Sequence, residues 1–172
     1  MKKEQMSSPY GIEFLAATEL FRGLGEVVLQ NLAAELVPLQ ISAGHTLIRQ
    51  GDVGDCMYVV VSGRLQVSLA QIGKAPQIIR EMGIGESIGE IALLTGQTRT
   101  ATVSAIEATE VARLSKESFE RLAAASPEMA SQLQHSVTEY LRRRQLRAAL
   151  KATRLLNDLD EALLSDLEAQ LT

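Results

Sequence analysis

The chain between Met57 and Leu69 reads Met-Tyr-Val-Val-Val-Ser-Gly-Arg-Leu-Gln-Val-Ser-Leu, two apolar and mostly β-branched runs separated by a glycine. In the second run, Leu65, Val67 and Leu69 alternate with polar residues, so their side chains share one face of an extended strand. β-Branched residues are enriched in strands, and glycine commonly interrupts them. This stretch therefore predicts two consecutive β-strands.

Runs of the same kind continue on both sides, from Leu39 to Leu114, and glycines again separate them. Many short strands at near-regular spacing favour an antiparallel sandwich or barrel. One short helix interrupts them, from Ile88 to Leu94, and Thr95-Gly96 ends it. The predicted strands are Thr46–Ile48, Met57–Val61, Leu65–Leu69, Gln77–Ile79, Thr102–Ile106 and Glu110–Leu114.

Helical patterns lie on either side of the strand region. Leucines and valines recur every four residues within Gly11–Leu36, and Pro38 stops that pattern because its ring cannot continue a helix. Ser115 is a candidate N-cap for a second helix, and Pro127 suits the first position of a third. The apolar positions of the third helix are Met129, Leu133, Val137 and Leu141, and the pattern extends towards Leu150.

Composition narrows the class of protein. The 17 Lys and Arg against 21 Asp and Glu give a net charge of −4, which argues against nucleic-acid binding by the whole domain. The one cysteine, Cys56, excludes an internal disulfide, and His45 and His135 have no third metal ligand at a suitable spacing. No apolar run approaches the roughly 20 residues of a membrane span. We expect a cytoplasmic chain with no metal, no cofactor and no catalytic activity of its own.

One stretch carries binding chemistry: Gly83-Ile84-Gly85-Glu86-Ser87-Ile88-Gly89-Glu90-Ile91-Ala92-Leu93-Leu94, followed by Thr95-Gly96-Gln97-Thr98-Arg99-Thr100-Ala101-Thr102. The start of a short helix leaves backbone N–H groups unpaired, and Gly89 allows a ligand to approach them. The forked guanidinium of Arg99 suits a phosphate. Glu90 carries the same charge as a phosphate, so we expect it to accept a hydrogen bond from a neighbouring sugar hydroxyl.

These residues resemble the phosphate-binding cassette of the cyclic nucleotide-binding domain family, which includes catabolite activator proteins and the regulatory subunits of cAMP-dependent protein kinase. That cassette reads roughly Phe-Gly-Glu-x-Ala-Leu, a variable loop, then Pro-Arg-(Ala/Thr/Ser)-Ala. Ile88 replaces the common aromatic residue, and Thr98 replaces the common proline. The stretch Gly51–Gly63 also resembles the first hairpin of the family. The resemblance covers about Leu20–Leu150 and implies an α+β fold, an antiparallel β jelly-roll barrel flanked by N-terminal and C-terminal helices.

The resemblance also implies a ligand, cAMP or cGMP. By position, Glu90 holds the ribose 2′-hydroxyl and Arg99 pairs with the cyclic phosphate. Thr100 donates its hydroxyl either to the phosphate or to a guanine base, so the choice of base stays open. The alternative is a surface ion pair between Glu90 and Arg99 without any ligand. The predicted binding residues are Met82, Gly89, Glu90, Ile91, Ala92, Arg99, Thr100 and Ala101.

The chain divides into four predicted segments. Residues 1–10 form a disordered tail, 11–126 the nucleotide-binding jelly roll with its N-terminal helix, and 127–155 a C-terminal helix and linker. Residues 156–172 begin a second repeat module, because Leu156–Leu171 repeats the leucine pattern of Phe21–Leu36. In the family's usual arrangement the C-terminal helix moves when ligand binds, and we expect Tyr140 or Leu141 to cap the purine.

The basic run Arg142–Arg144 predicts either a solvated helix face or contact with an anionic membrane surface or another domain. With the Leu155–Glu161 segment it resembles the link between tandem modules in bacterial patatin-like phospholipases of the neuropathy target esterase type. That resemblance implies a longer parent protein with downstream domains. Two other classes remain open. One is the sensor of a catabolite-activator-type transcription regulator, whose C-terminal helix forms a homodimer, and the other is a ligand-free interaction scaffold.

Overall fold

The computed structural model describes residues 10–152, and within that range the chain forms two antiparallel sheets of four strands and five helices. This confirms the predicted α+β barrel flanked by helices. The strands are β1 (Val37–Ile41), β2 (Thr46–Ile48), β3 (Cys56–Ser62), β4 (Leu65–Gln71), β5 (Lys74–Met82), β6 (Ser87–Ile88), β7 (Thr102–Ala105) and β8 (Thr109–Ser115). The helices are α1 (Ile12–Ala17), α2 (Glu26–Glu35), α3 (Glu90–Thr95), α4 (Lys116–Ala125) and α5 (Pro127–Ala152).

The two sheets have the strand orders β1-β8-β3-β6 and β2-β7-β4-β5. Strand β3 pairs with both β8 and β6, and its side chains alternate between two apolar cores. Met57 and Val59 pack with the helices, whereas Tyr58 and Val60 pack inside the barrel. Because both faces of β3 are buried, its sequence is a continuous apolar run instead of an alternating one.

The helices after the barrel begin as their sequence predicts. The Ser115 hydroxyl accepts a hydrogen bond from the backbone N–H of Ser118 (3.1 Å), which caps α4. The Ser126 hydroxyl does the same for the N–H of Met129 (3.0 Å), and Pro127 is the first residue of α5. Helix α5 extends over 26 residues, so the prediction that it reaches Leu150 is confirmed.

The prediction of one helix over Gly11–Leu36 is wrong, because the segment forms two helices, α1 and α2, joined by a turn. The Thr18 hydroxyl donates to the carbonyl oxygen of Leu15 (2.7 Å) at the end of α1. Gly23 then adopts a φ of +87°, in the left-handed region that ends helices. Both helices nevertheless pack on the same core, and so do Leu20 and Phe21 in the turn between them.

Two further assignments differ from the sequence-based ones. Ile88 belongs to β6 and not to the following helix, because Gly89 breaks the backbone between them with a φ of +86°. The sequence patterns do not predict strand β1, which contains Pro38. It lies at the edge of its sheet, where a residue without an N–H is tolerated.

The prediction that residues 1–10 form a disordered tail is wrong for Tyr10. Its side chain is only 7% exposed, and its hydroxyl donates to a carboxylate oxygen of Glu110 on β8 (2.9 Å). Residues 1–9 and 153–172 lie outside the described residues, and so do the end of the predicted linker and the predicted second repeat at 156–172. Among the described helices, none combines the length and the apolar character that crossing a membrane requires.

Candidate ligand-binding cleft

A cleft lies between α3, the barrel wall and the C-terminal helix α5. It contains seven of the eight predicted binding residues. The exception is Met82, which is 1% exposed, pairs with Leu65 across β4 and β5, and belongs to the barrel core instead of the cleft wall. The cleft is lined by Ile48, Ile88, Gly89, Glu90, Ile91, Ala92, Arg99, Thr100, Ala101, Val103 and Arg144.

The guanidinium of Arg99 is fixed in the cleft wall by groups from two other segments. Its Nη1 donates to the carbonyl oxygen of Gly89 (2.9 Å), and its Nη2 donates to the sulfur of Cys56 (3.3 Å). The backbone N–H of Arg99 donates to the carbonyl oxygen of Asp52 (2.8 Å), which anchors the loop. The side chain is thus held in one orientation, and the residue is only 6% exposed.

Gly89 makes this arrangement of Arg99 feasible. Its φ of +86° lies in the left-handed region, which residues with a Cβ rarely adopt. A Cβ on Gly89 would also collide with Nη1 of Arg99 and come within 3.2 Å of the carbonyl oxygen of Cys56. Position 89 therefore needs glycine both for its backbone conformation and for the space that the guanidinium occupies.

Glu90 is the first residue of α3 and is 1% exposed. Its Oε1 accepts a hydrogen bond and ion pair from Nη1 of Arg144, whereas its Oε2 has no hydrogen-bond partner among the described residues. Burial raises the pKa of Glu90 above the usual glutamate value, although the charge of Arg144 acts in the opposite direction. The alternative of a surface ion pair between Glu90 and Arg99 is wrong, because both residues are buried and Glu90 pairs with Arg144.

Residues 38–126, more than half of the chain, match the model of the family described as "Cyclic nucleotide-binding domain". The matched segment contains the whole barrel apart from the first residue of β1, and it contains the buried Glu90 and Arg99. This chain belongs to the cyclic nucleotide-binding domain family.

Proteins similar to this cyclic nucleotide-binding domain differ widely in their overall architecture. A lysophospholipase, nte1, of Aspergillus fumigatus is 32% identical over 139 residues, which are 81% of this chain but only 9% of that protein. The catabolite activator protein of Thermus thermophilus superposes with a TM-score of 0.70 at 27% identity over 80% of this chain and 63% of that one. The regulatory domain of Toxoplasma gondii protein kinase A, solved with cAMP, gives 0.65 at 27% identity over 91% and 55%.

Arg144 is the one charged cleft residue of this domain that sequence reasoning missed. The prediction that the run Arg142–Arg144 lies on an exposed helix face is wrong for Arg144, which turns into the cleft. The spacing of apolar residues along α5 already indicates that Arg144 faces inward. Among residues 127–146 of α5, the buried positions are Met129, Leu133, Ser136 and Tyr140, and one more step of four residues reaches Arg144.

The two residues proposed to cap the purine do not line the cleft. Tyr140 is buried, and its hydroxyl lies 3.3 Å from Nη1 of Arg144, from which it accepts a hydrogen bond. Leu141 is partly buried and packs against the core between the first sheet and the helices. The residue of α5 that reaches the cleft is therefore Arg144, and Tyr140 lies one helical turn before it.

Proposed function

We propose that this chain is a regulatory module that binds cAMP or cGMP in the cleft and transmits its occupancy through α5. The observation that carries this proposal is the unpartnered Oε2 of Glu90. A buried carboxylate oxygen without a hydrogen-bond donor costs free energy, and a ligand hydroxyl would supply the missing donor. The 2′-hydroxyl of a ribose is a donor of this kind.

The charges of the cleft favour a ligand that carries both an anion and a hydroxyl. Arg99 offers a fixed guanidinium for a phosphate, and Glu90 repels an anion but accepts from a hydroxyl. A cyclic nucleotide joins these two groups through one rigid ring system of about 22 non-hydrogen atoms. At roughly −0.3 to −0.4 kcal/mol for each atom, we expect micromolar or somewhat tighter binding.

Arg99→Ala tests the assignment of the phosphate site. Because a buried phosphate would lose its countercharge, we expect the free energy of binding to weaken by about 2–5 kcal/mol. The primary measurement is thermal unfolding of the wild-type chain with cAMP and with cGMP, since a ligand that binds only the folded state raises the melting temperature. Isothermal titration calorimetry then gives the affinity of the variant for the preferred nucleotide.

Arg49→Ala is the matched control, since it removes the same charge from an exposed arginine at the end of β2. We expect its affinity to equal that of the wild-type chain. No rise in melting temperature with either nucleotide would overturn the proposed function. Equal affinities for Arg99→Ala and Arg49→Ala would leave binding in place but reject the proposed site.

We also propose that the module regulates a longer parent protein, a lipid hydrolase of the neuropathy target esterase type. In support, this chain matches only 9% of the lysophospholipase of A. fumigatus, so most of that relative lies outside the segment that this chain resembles. A Gly-x-Ser-x-Gly motif in downstream sequence would support this parent, whereas a downstream helix-turn-helix would support a transcription regulator. Of the run Arg142–Arg144, only Arg142 and Arg143 would be available for contact with a membrane, because Arg144 is engaged in the cleft.

A further inference from the structure

We infer that Arg144 is a positioning residue for Glu90, so that the docked helix α5 is part of the ligand site and not only a reporter of its occupancy. This inference rests on the proposed function, since the group that Glu90 awaits is the ligand's hydroxyl. It concerns one ion pair that joins two distant parts of the chain, α3 and α5.

The geometry divides the two oxygens of Glu90 between two partners. Nη1 of Arg144 donates to Oε1 and also to the hydroxyl of Tyr140 at 3.3 Å, and these contacts fix both the guanidinium and the carboxylate. Oε2 is buried and has no partner among the described residues, and Glu90 itself lines the cleft. Arg144 and a ligand hydroxyl can therefore bind the same carboxylate without competing for one oxygen.

Electrostatics gives Arg144 a second role. A carboxylate as buried as that of Glu90 takes up a proton if no cation compensates its charge, and a protonated carboxyl is a weaker acceptor for a hydroxyl. The groups of the described chain that face Glu90 are Arg144 and Tyr140 from α5 and Arg80 from β5. Arg80 forms its own ion pair with Glu86, so Arg144 is the cation in direct contact with Glu90.

Thermodynamic linkage makes this contact reciprocal. If the docking of α5 prepares Glu90 for the hydroxyl, then a bound hydroxyl must stabilise the docking of α5 by the same factor. The ion pair also becomes less hydrated when a ligand closes the cleft, and lower hydration strengthens the attraction. Arg144 stands 54 residues after Glu90 in the chain, and its ion pair with Glu90 links the cleft directly to α5.

The test compares Arg144→Met with Arg142→Met, which removes the same charge from an exposed position of α5. Calorimetry with cAMP and with 2′-deoxy-cAMP gives the affinity ratio that reports the hydroxyl contact. We expect the wild-type chain and Arg142→Met to prefer cAMP roughly tenfold, because the hydroxyl bonds a charged acceptor. Arg144→Met should lose most of this preference while its affinity for the deoxy ligand changes by less than about twofold.

Two more variants separate positioning from other roles. In a Glu90→Gln background, Arg144→Met should change the affinity for cAMP by less than about twofold, because Arg144 acts through Glu90. Arg144→Lys keeps the charge and should retain part of the preference for cAMP that Arg144→Met loses. If Arg144→Met does not fold, Arg144→Gln, which also lacks the charge, takes its place in every comparison.

Three results would overturn the inference. The first is that Arg144→Met has the same ratio of affinities for cAMP and 2′-deoxy-cAMP as the wild-type chain, or that Arg144→Lys has the same ratio as the variant without the charge. The second is equal weakening of both ligands that persists in the Glu90→Gln background, which would indicate a phosphate contact or a general effect on the fold. The third is tighter binding by Arg144→Met, which would make Arg144 a competitor of the ligand. If neither nucleotide binds the wild-type chain, the proposed function fails first and this inference falls with it.

Discussion

Glu90 combines a position in the candidate site with a cost to the stability of the fold. Its carboxylate is buried, one of its oxygens has no partner among the described residues, and burial raises its pKa despite the nearby Arg144. A raised pKa in the folded state means that ionisation of Glu90 opposes folding. That loss of stability is absent below the usual glutamate pKa of 4.5 and is complete above the raised value.

Glu90→Gln should therefore raise the melting temperature of the ligand-free protein at neutral pH, because the amide removes the cost of burying a charge. The difference from the wild-type chain should shrink as the pH falls towards the usual glutamate range, where Glu90 of the folded protein is protonated. Thermal unfolding followed by circular dichroism over a pH series measures this difference. Glu107→Gln, at an exposed position, is the control and should show no such trend. A lower melting temperature for Glu90→Gln at neutral pH would contradict the argument.

Residues of the site differ in how far sequence alone could identify them. Glu90 and Arg99 belong to one short motif, so their types and their spacing along the chain are enough to point to a phosphate and a hydroxyl. Arg144 comes from another element, 54 residues after Glu90, and it stands in a basic run that is typical of a solvated surface. Only the docking of α5 decides that this arginine, and not Arg142, turns inward.

At the scale of elements, the position of α3 depends on close contact with the loop before β3. Gly54 lies so near to α3 that a Cβ at this position would overlap the Cβ of Ala92 and come within 3.2 Å of its Cα. Gly54→Ala should displace α3 and with it Glu90, and we expect a loss of about 1–3 kcal/mol of folding free energy from overpacking. Urea unfolding gives the stability, and calorimetry should show weaker nucleotide binding.

Gly83→Ala is the matched control for this prediction. Gly83 precedes β6, no atom lies within 4 Å of a Cβ built on it, and its φ is not positive. We expect stability and affinity close to those of the wild-type chain. If Gly54→Ala matches Gly83→Ala in both measurements, the contact between the loop and α3 does not set the position of the helix.

The element boundaries show which local signals decide structure. The cap at Ser115 and the proline at 127 specify the starts of α4 and α5 through local hydrogen bonds and backbone geometry, and both are predictable. The break between α1 and α2 is not, because apolar residues of both helices and of the turn between them pack on one common core. Strand β1 is stabilised by its pairing with β8, a long-range contact that local sequence does not encode.

At the scale of the whole molecule, two apolar cores share the first sheet. One fills the barrel, and the other joins the helices to the outer face of that sheet through residues such as Leu32, Val59 and Leu133. Helix α5 packs on the second core and also reaches the cleft through Arg144. Under the proposed function, a ligand in the cleft would therefore act on the docking of α5 through the contact between Arg144 and Glu90.

This coupling predicts that saturating cAMP, or cGMP if that nucleotide binds more tightly, slows amide hydrogen exchange in residues 137–146 of α5. Coupling energies between sites are typically about 1–3 kcal/mol, so we expect exchange to slow roughly fivefold or more in this segment. Amides of β3 and β8 in the centre of the first sheet report global unfolding, which any ligand of the folded state also slows, so their exchange shows that the nucleotide is bound. Unchanged exchange in α5, together with a normal rise in melting temperature, would reject transmission through the helix. Nucleotide binding itself would then stand as a separate property of the barrel.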